Sequence, residues 1–79
     1  MKSVFITFNS MDDIKTFCGI VSNYSSENSF RLKSGRFIVD PTSIMGIFSL
    51  DISKPVELII ENDQHLDEIL NALKPYLQE

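Results

Sequence analysis

The stretch from Phe30 to Asp40 constrains the fold more than any other. Phe30 and Leu32 alternate with Arg31 and Lys33, and Phe37 and Val39 alternate with Arg36, Ile38 and Asp40. Ser34-Gly35 lies between the two runs. Period-two alternation on both sides of a tight-turn dipeptide reads as a β-hairpin. A hairpin commits the chain to antiparallel pairing, so every other strand must join or oppose that ladder.

The remaining elements follow from the same kind of patterning. Val4, Ile6 and Phe8 alternate with Ser3, Phe5 and Thr7, which predicts a strand. Ser10-Met11-Asp12-Asp13 supplies a serine cap and first-turn acids. Ile14, Phe17, Cys18 and Val21 then recur at helical spacing, predicting a helix of about ten to fourteen residues. The polar cluster of Ser22, Asn23, Ser25, Ser26, Glu27 and Asn28 ends it. Val56, Leu58, Ile59 and Ile60 form the most apolar strand, which belongs in the sheet interior, with Pro55 at its start. Asn62-Asp63 reads as the cap of a last helix, with Leu66, Ile69, Leu70, Leu73 and Leu77 on one side. Pro75 should kink or loosen its final turn. The order β-α-β-β-α-β-α is met most economically by an antiparallel sheet with helices on one face, an α+β fold.

The segment Asp40 to Leu50 is harder to place. Asp40-Pro41-Thr42 breaks the hairpin, and Ser43 is a helix N-cap ahead of Ile44, Met45, Gly46, Ile47, Phe48, Ser49 and Leu50. At 100° per residue, Phe48 lies about 40° and Met45 about 100° from Ile44, while Gly46, Leu50 and Ile47 fall between roughly 200° and 300°. A surface helix buries one stripe. If Gly46, Ile47 and Leu50 face the core, then Ile44, Met45 and Phe48 form an exposed apolar patch suited to docking a partner. The competing readings are that this side is covered too, or that it is buried against another copy of the chain.

Seventy-nine residues allow one small domain, 1–79, and 43% hydrophobic content supports a core without metals or disulfides. The net charge of −4 argues against nucleic acid or an anionic membrane as partner, because both select basic patches. Cys18 is the sole cysteine, which excludes a disulfide within the chain and a cysteine-cluster zinc site. It reads as a small core residue. No apolar stretch reaches the length of a membrane span and no signal-peptide pattern is present, so a cytoplasmic location is the expectation. No metal-ligand spacing, phosphate loop or Ser/His/Asp arrangement marks an enzyme, and no cofactor is implied. Asp12, Asp13, Glu61, Asp63, Asp67 and Glu68 read as a solvated acidic face. Arg31, Lys33 and Arg36 read as charges that blunt a sheet edge.

The run Lys33-Ser34-Gly35-Arg36 to Leu50, above all Ser43-Ile44-Met45-Gly46-Ile47-Phe48-Ser49-Leu50, resembles HPr, the small phosphocarrier of the bacterial sugar phosphotransferase system. The resemblance implies an open-faced β-sandwich of four antiparallel strands covered on one side by three helices. It also implies two functional places. One is a phosphorylatable histidine between the first strand and first helix, in a Gly-x-His-x-Arg-Pro pattern. Here that junction is Asn9-Ser10-Met11-Asp12-Asp13, without histidine, arginine or proline, and two acids there would repel a phosphoryl group. The other is a regulatory serine, matched by Ser43, beside a docking surface matched by Ile44, Met45 and Phe48. A structural reading of Ser43, as a cap contributing about 1 kcal/mol, stands beside the regulatory one.

The implied function is a regulatory or adaptor domain that has lost phosphohistidine transfer. Its partners would be proteins, an HPr-type kinase or a transcriptional regulator. Two alternatives stand against it: a phosphocarrier with a non-standard acceptor such as His65, and a structural homo-oligomer that buries Ile44, Met45 and Phe48. His65, the only histidine, reads as a solvated first-turn residue at the end of the molecule opposite Asn9–Asp13.

Overall fold

The alternating runs become four strands. A computed structural model describes residues 1–62 and 64–78. It contains β1 (Lys2–Ile6), α1 (Met11–Tyr24), β2 (Phe30–Ser34), β3 (Phe37–Val39), α2 (Ile44–Phe48), β4 (Val56–Ile60) and α3 (Leu66–Ala72), followed by a 3-10 turn at Lys74–Tyr76. The order is β-α-β-β-α-β-α. The strands form one antiparallel sheet ordered β1-β4-β2-β3. The most apolar strand, β4, lies between β1 and β2, as its composition predicts.

The register assigns the two faces. Val4, Leu58, Leu32 and Val39 are successive partners across the sheet, and Ile6 pairs with Val56 and Phe30 with Ile60. These residues share one face, because directly opposed side chains in an antiparallel pair project the same way. Ile6, Leu32, Val56, Leu58 and Ile60 are buried there under Ile14, Phe17, Cys18 and Val21 of α1, Ile47 and Leu50 around α2, and Ile69 and Leu73 around α3. Phe8 lies just past β1 and packs edge-on against Phe17, with ring centroids 5.1 Å apart. The other face carries Phe5, Glu57, Lys33 and Ile38 in one row and Ser3, Ile59 and Arg31 in the next.

Gly35 has φ 60° and Arg36 does not share it, so the β2–β3 turn has the type II′ shape that suits strand twist. Three expectations change. Arg31 and Lys33 do not blunt an edge: they sit on β2, an interior strand, and Arg31 pairs with Glu61 at 3.3 Å. Ser22 and Asn23 belong to the last turn of α1 instead of ending it. Leu77 is not helical. Pro75, which lacks an N–H, sits in the 3-10 turn. Leu77 then bridges Ile6 along the outer side of β1, flanked by bonds from Thr7 N to Tyr76 O (2.8 Å) and from Gln78 N to Phe5 O (2.9 Å). The β1 edge is therefore covered at Phe5–Thr7.

Asn62 is also not a helix cap. Its Oδ1 accepts from Ser29 N at 3.1 Å and its Nδ2 donates to Glu27 O at 2.8 Å, tying the end of β4 to the loop before β2. The other half of that expected cap, Asp63, lies outside the described residues. His65 holds the cap position of α3 without a capping side-chain bond.

Candidate functional site

The site is built around α2. Asp40 Oδ1 accepts from Thr42 N (2.9 Å) and Thr42 Oγ1 (2.7 Å), an Asx turn that redirects the chain out of β3. Ser43 N donates to Asp40 O at 3.0 Å, and Ser43 Oγ accepts from Gly46 N at 3.1 Å, closing the cap. Ser49 Oγ donates to Gly46 O at 2.6 Å at the other end. The backbone of Gly46 comes close to Val39: a Cβ added there would stand 3.4 Å from Val39 Cβ. The smallest residue thus lies where the helix approaches the sheet.

The question of two apolar sides now has an answer. Ile47 is fully buried and Leu50 nearly so, while Met45 is 78% and Phe48 39% exposed. Ile44 is partly buried against the core. The exposed patch of α2 is therefore Met45 and Phe48, with Ile44 at its margin; one turn of helix cannot hold Ile47 inward and leave Ile44 wholly outside. Ser43 is exposed beside them.

The junction Asn9–Asp13 is a self-satisfied helix start. Ser10 Oγ accepts from Asp13 N at 3.2 Å, and Asp13 Oδ2 accepts from Asn9 N at 2.8 Å. This is a capping box displaced by one residue. Met11 is exposed, and Asp12 and Asp13 occupy the first turn, so the positive end of the helix dipole already faces carboxylates of its own chain. Residues 9–13 follow Ile6, whose sheet partner is Val56. The segment leading into α2 lies elsewhere: Asp40 and Thr42 line one cavity with Ser25, Asn28 and Phe30, past the C-terminal end of α1.

His65 belongs to the other end. It follows Ile60, whose partners are Lys2 and Phe30. It is not merely solvated: Nε2 contacts Glu27 Oε2, Nδ1 lies 3.9 Å from Glu68 Oε2, and its ring stands 6.2 Å from that of Tyr24. Its φ of 56° is left-handed, an unusual state for a non-glycine residue. Nearby, Asn28 is buried, donates through Nδ2 to Gln64 O, and leaves Oδ1 without a partner among the described residues. Sequence reasoning assigned both Glu27 and Asn28 to a loop. Glu27 and His65 are 38 positions apart, so no local pattern announces their contact.

Cys18 is buried, and burial, followed by the negative charge of Asp40, pushes its thiol above the ordinary value. A raised folded value favours the native state below the ordinary thiol value and ceases to do so as pH rises through it, so stability declines in that alkaline range. Alkylation of Cys18 by iodoacetamide at neutral pH is expected to be at least about a hundredfold slower than in the denatured chain. In the turn leading to β4, the Ser53 hydroxyl and amide both donate to Asp51 Oδ1, holding that carboxyl below its usual range.

Among the described residues no group of three His, Cys, Asp or Glu side chains is placed to hold a metal ion, and no helix is long and apolar enough to cross a membrane. The class defined by the structure is an α+β domain with an open-faced, four-stranded antiparallel sheet. No protein family, curated protein or solved structure matches the chain.

Proposed function

We propose that this chain is an HPr-like domain that no longer carries phosphate on histidine and acts as a regulatory or adaptor module through the α2 face. The observation that carries the reading is the contrast between the two places that the resemblance singles out. Met45 and Phe48 stand exposed on a helix capped at both ends, while the α1 start has no histidine and meets its own carboxylates. In this reading the docking face is retained although the acceptor is missing. The partner is a protein with an apolar pocket for Met45 and Phe48, in the manner of an HPr-type kinase or a transcriptional regulator.

Ser43 is the proposed switch. Its exposed hydroxyl caps Gly46 N, and a phosphate there keeps an acceptor at the same N–H while adding charge beside the patch. The test has two arms. With the phosphotransferase system's first enzyme and phosphoenolpyruvate, the chain is expected to remain unlabelled. With an HPr-type kinase and ATP, one phosphate is expected on Ser43, and none on Ser43→Ala. Acid-labile phosphate on His65 in the first arm would replace this reading with that of a carrier.

A further inference from the structure

The two edges of the sheet are treated differently. The outer side of β1 is covered by Tyr76, Leu77 and Gln78, whereas among the described residues no backbone group bonds to the outer side of β3. That open edge carries two of the most exposed large apolar side chains of the molecule, Phe37 at 68% and Ile38 at 54%. Exposed apolar edge strands are templates for further pairing.

Hairpin geometry says which groups are available. In a two-residue II′ hairpin the residues flanking the turn, Ser34 and Phe37, form the hydrogen-bonded pair. The next pair, Lys33 and Ile38, is then the non-hydrogen-bonded one, so the N–H and C=O of Ile38 point away from β2.

We propose that β3 is a self-association edge that pairs antiparallel with β3 of a second copy of this chain, on a two-fold axis at Ile38, giving one continuous eight-stranded sheet. The three residues of β3, Phe37-Ile38-Val39, and the charges that flank them, Arg36 and Asp40, are complementary to themselves in this register. Ile38 meets Ile38 of the second copy, and their outward N–H and C=O groups bond reciprocally. Phe37 meets Val39 on the face covered by helices. Arg36, in the turn before β3, and Asp40, just past it, flank the ladder, so each end of it brings Arg36 of one copy toward Asp40 of the other. The charges are available for it: Arg36 forms no ion pair among the described residues, and Asp40 uses Oδ1 for Thr42, with no bond to Oδ2. A second copy is favoured over an unrelated extended peptide because apolar match, charge match and backbone polarity all arise from one five-residue segment. Two-fold symmetry is also the commonest way for a protein to meet itself. Asp40 is followed by Pro41, which limits the length of the ladder; the two-fold pairing uses each β3 edge once and so closes on itself.

A ladder of three residues on each chain places the dimer in the weak, reversible class. Sedimentation velocity of the full chain over a dilution series is expected to show a reversible shift from monomer to dimer. Arg36→Asp replaces two attractions with two repulsions and is expected to raise the dimer dissociation constant about tenfold or more. Ile38→Pro deletes the outward N–H while sparing the β2–β3 bonds and is expected to abolish the dimer. Circular dichroism establishes that each variant is folded, and if Ile38→Pro is not, Arg36→Asp decides. A wild-type chain that is monomeric throughout the series overturns the proposal. So does a dimer that Arg36→Asp leaves unchanged, and so does one that Met45→Asp removes, which would place the interface on α2.

Discussion

Replacing Phe17 by alanine is expected to cost about 3–5 kcal/mol, the range for truncating a buried aromatic. Phe17 is fully buried on the inner stripe of α1, and Phe8 packs edge-on against it. Truncation therefore removes the largest fully buried side chain and one member of a T-shaped aromatic pair at once. A small domain has only about 5–15 kcal/mol in total. Urea unfolding followed by circular dichroism should show the midpoint move toward zero denaturant with little change in slope. A loss under about 1 kcal/mol, the ordinary effect of a point mutation, would mean that α1 does not seat this residue in the core.

The second large effect separates the two sides of α2. Ile47→Asp places a carboxylate at a fully buried position with no cation beside it among the described core residues. Leaving a charge buried and unpaired costs several kcal/mol. The variant is expected to be unfolded or nearly so at room temperature. Met45→Asp, two positions earlier on the same five-residue helix, places the same group at a site 78% exposed and is expected to change stability by less than about 0.5 kcal/mol. The same Met45 variant is expected to lose capture by an HPr-type kinase in a pull-down. Equal destabilisation by the two substitutions would show that both sides of α2 are core and would remove the basis for a docking face.

These experiments bear on different links of the argument. Phe17 and Ile47 test the packing that holds α1 and α2 on the sheet. Met45 tests whether the side left over binds anything. Arg36 and Ile38 lie on another element, so a dimer lost through them leaves the α2 reading untouched.

The order of elements was legible from local chemistry. Period-two alternation marked β2 and β3, the most apolar of the runs marked β4 as interior, and helical spacing at Ile14, Phe17, Cys18 and Val21 marked the buried stripe of α1. Such signals depend on neighbours a few positions away, which any single chain displays. The caps were legible for the same reason: Ser10 and Ser43 each bond three residues ahead. What the chain alone left open was everything set by distant partners. Whether the Ile47 or the Met45 side of α2 is buried depends on where the sheet lies, because the helix pattern is apolar on both. Leu77 fits a helical repeat, yet it pairs with Ile6, since Pro75 ends the helix and β1 offers an unpaired edge. His65 reads as a solvated residue until Glu27, 38 positions away, is brought against it. Sequence by itself determined which segments are strands and helices. Tertiary structure decided which faces and edges of them remain available, because exposure is a property of what else is packed nearby.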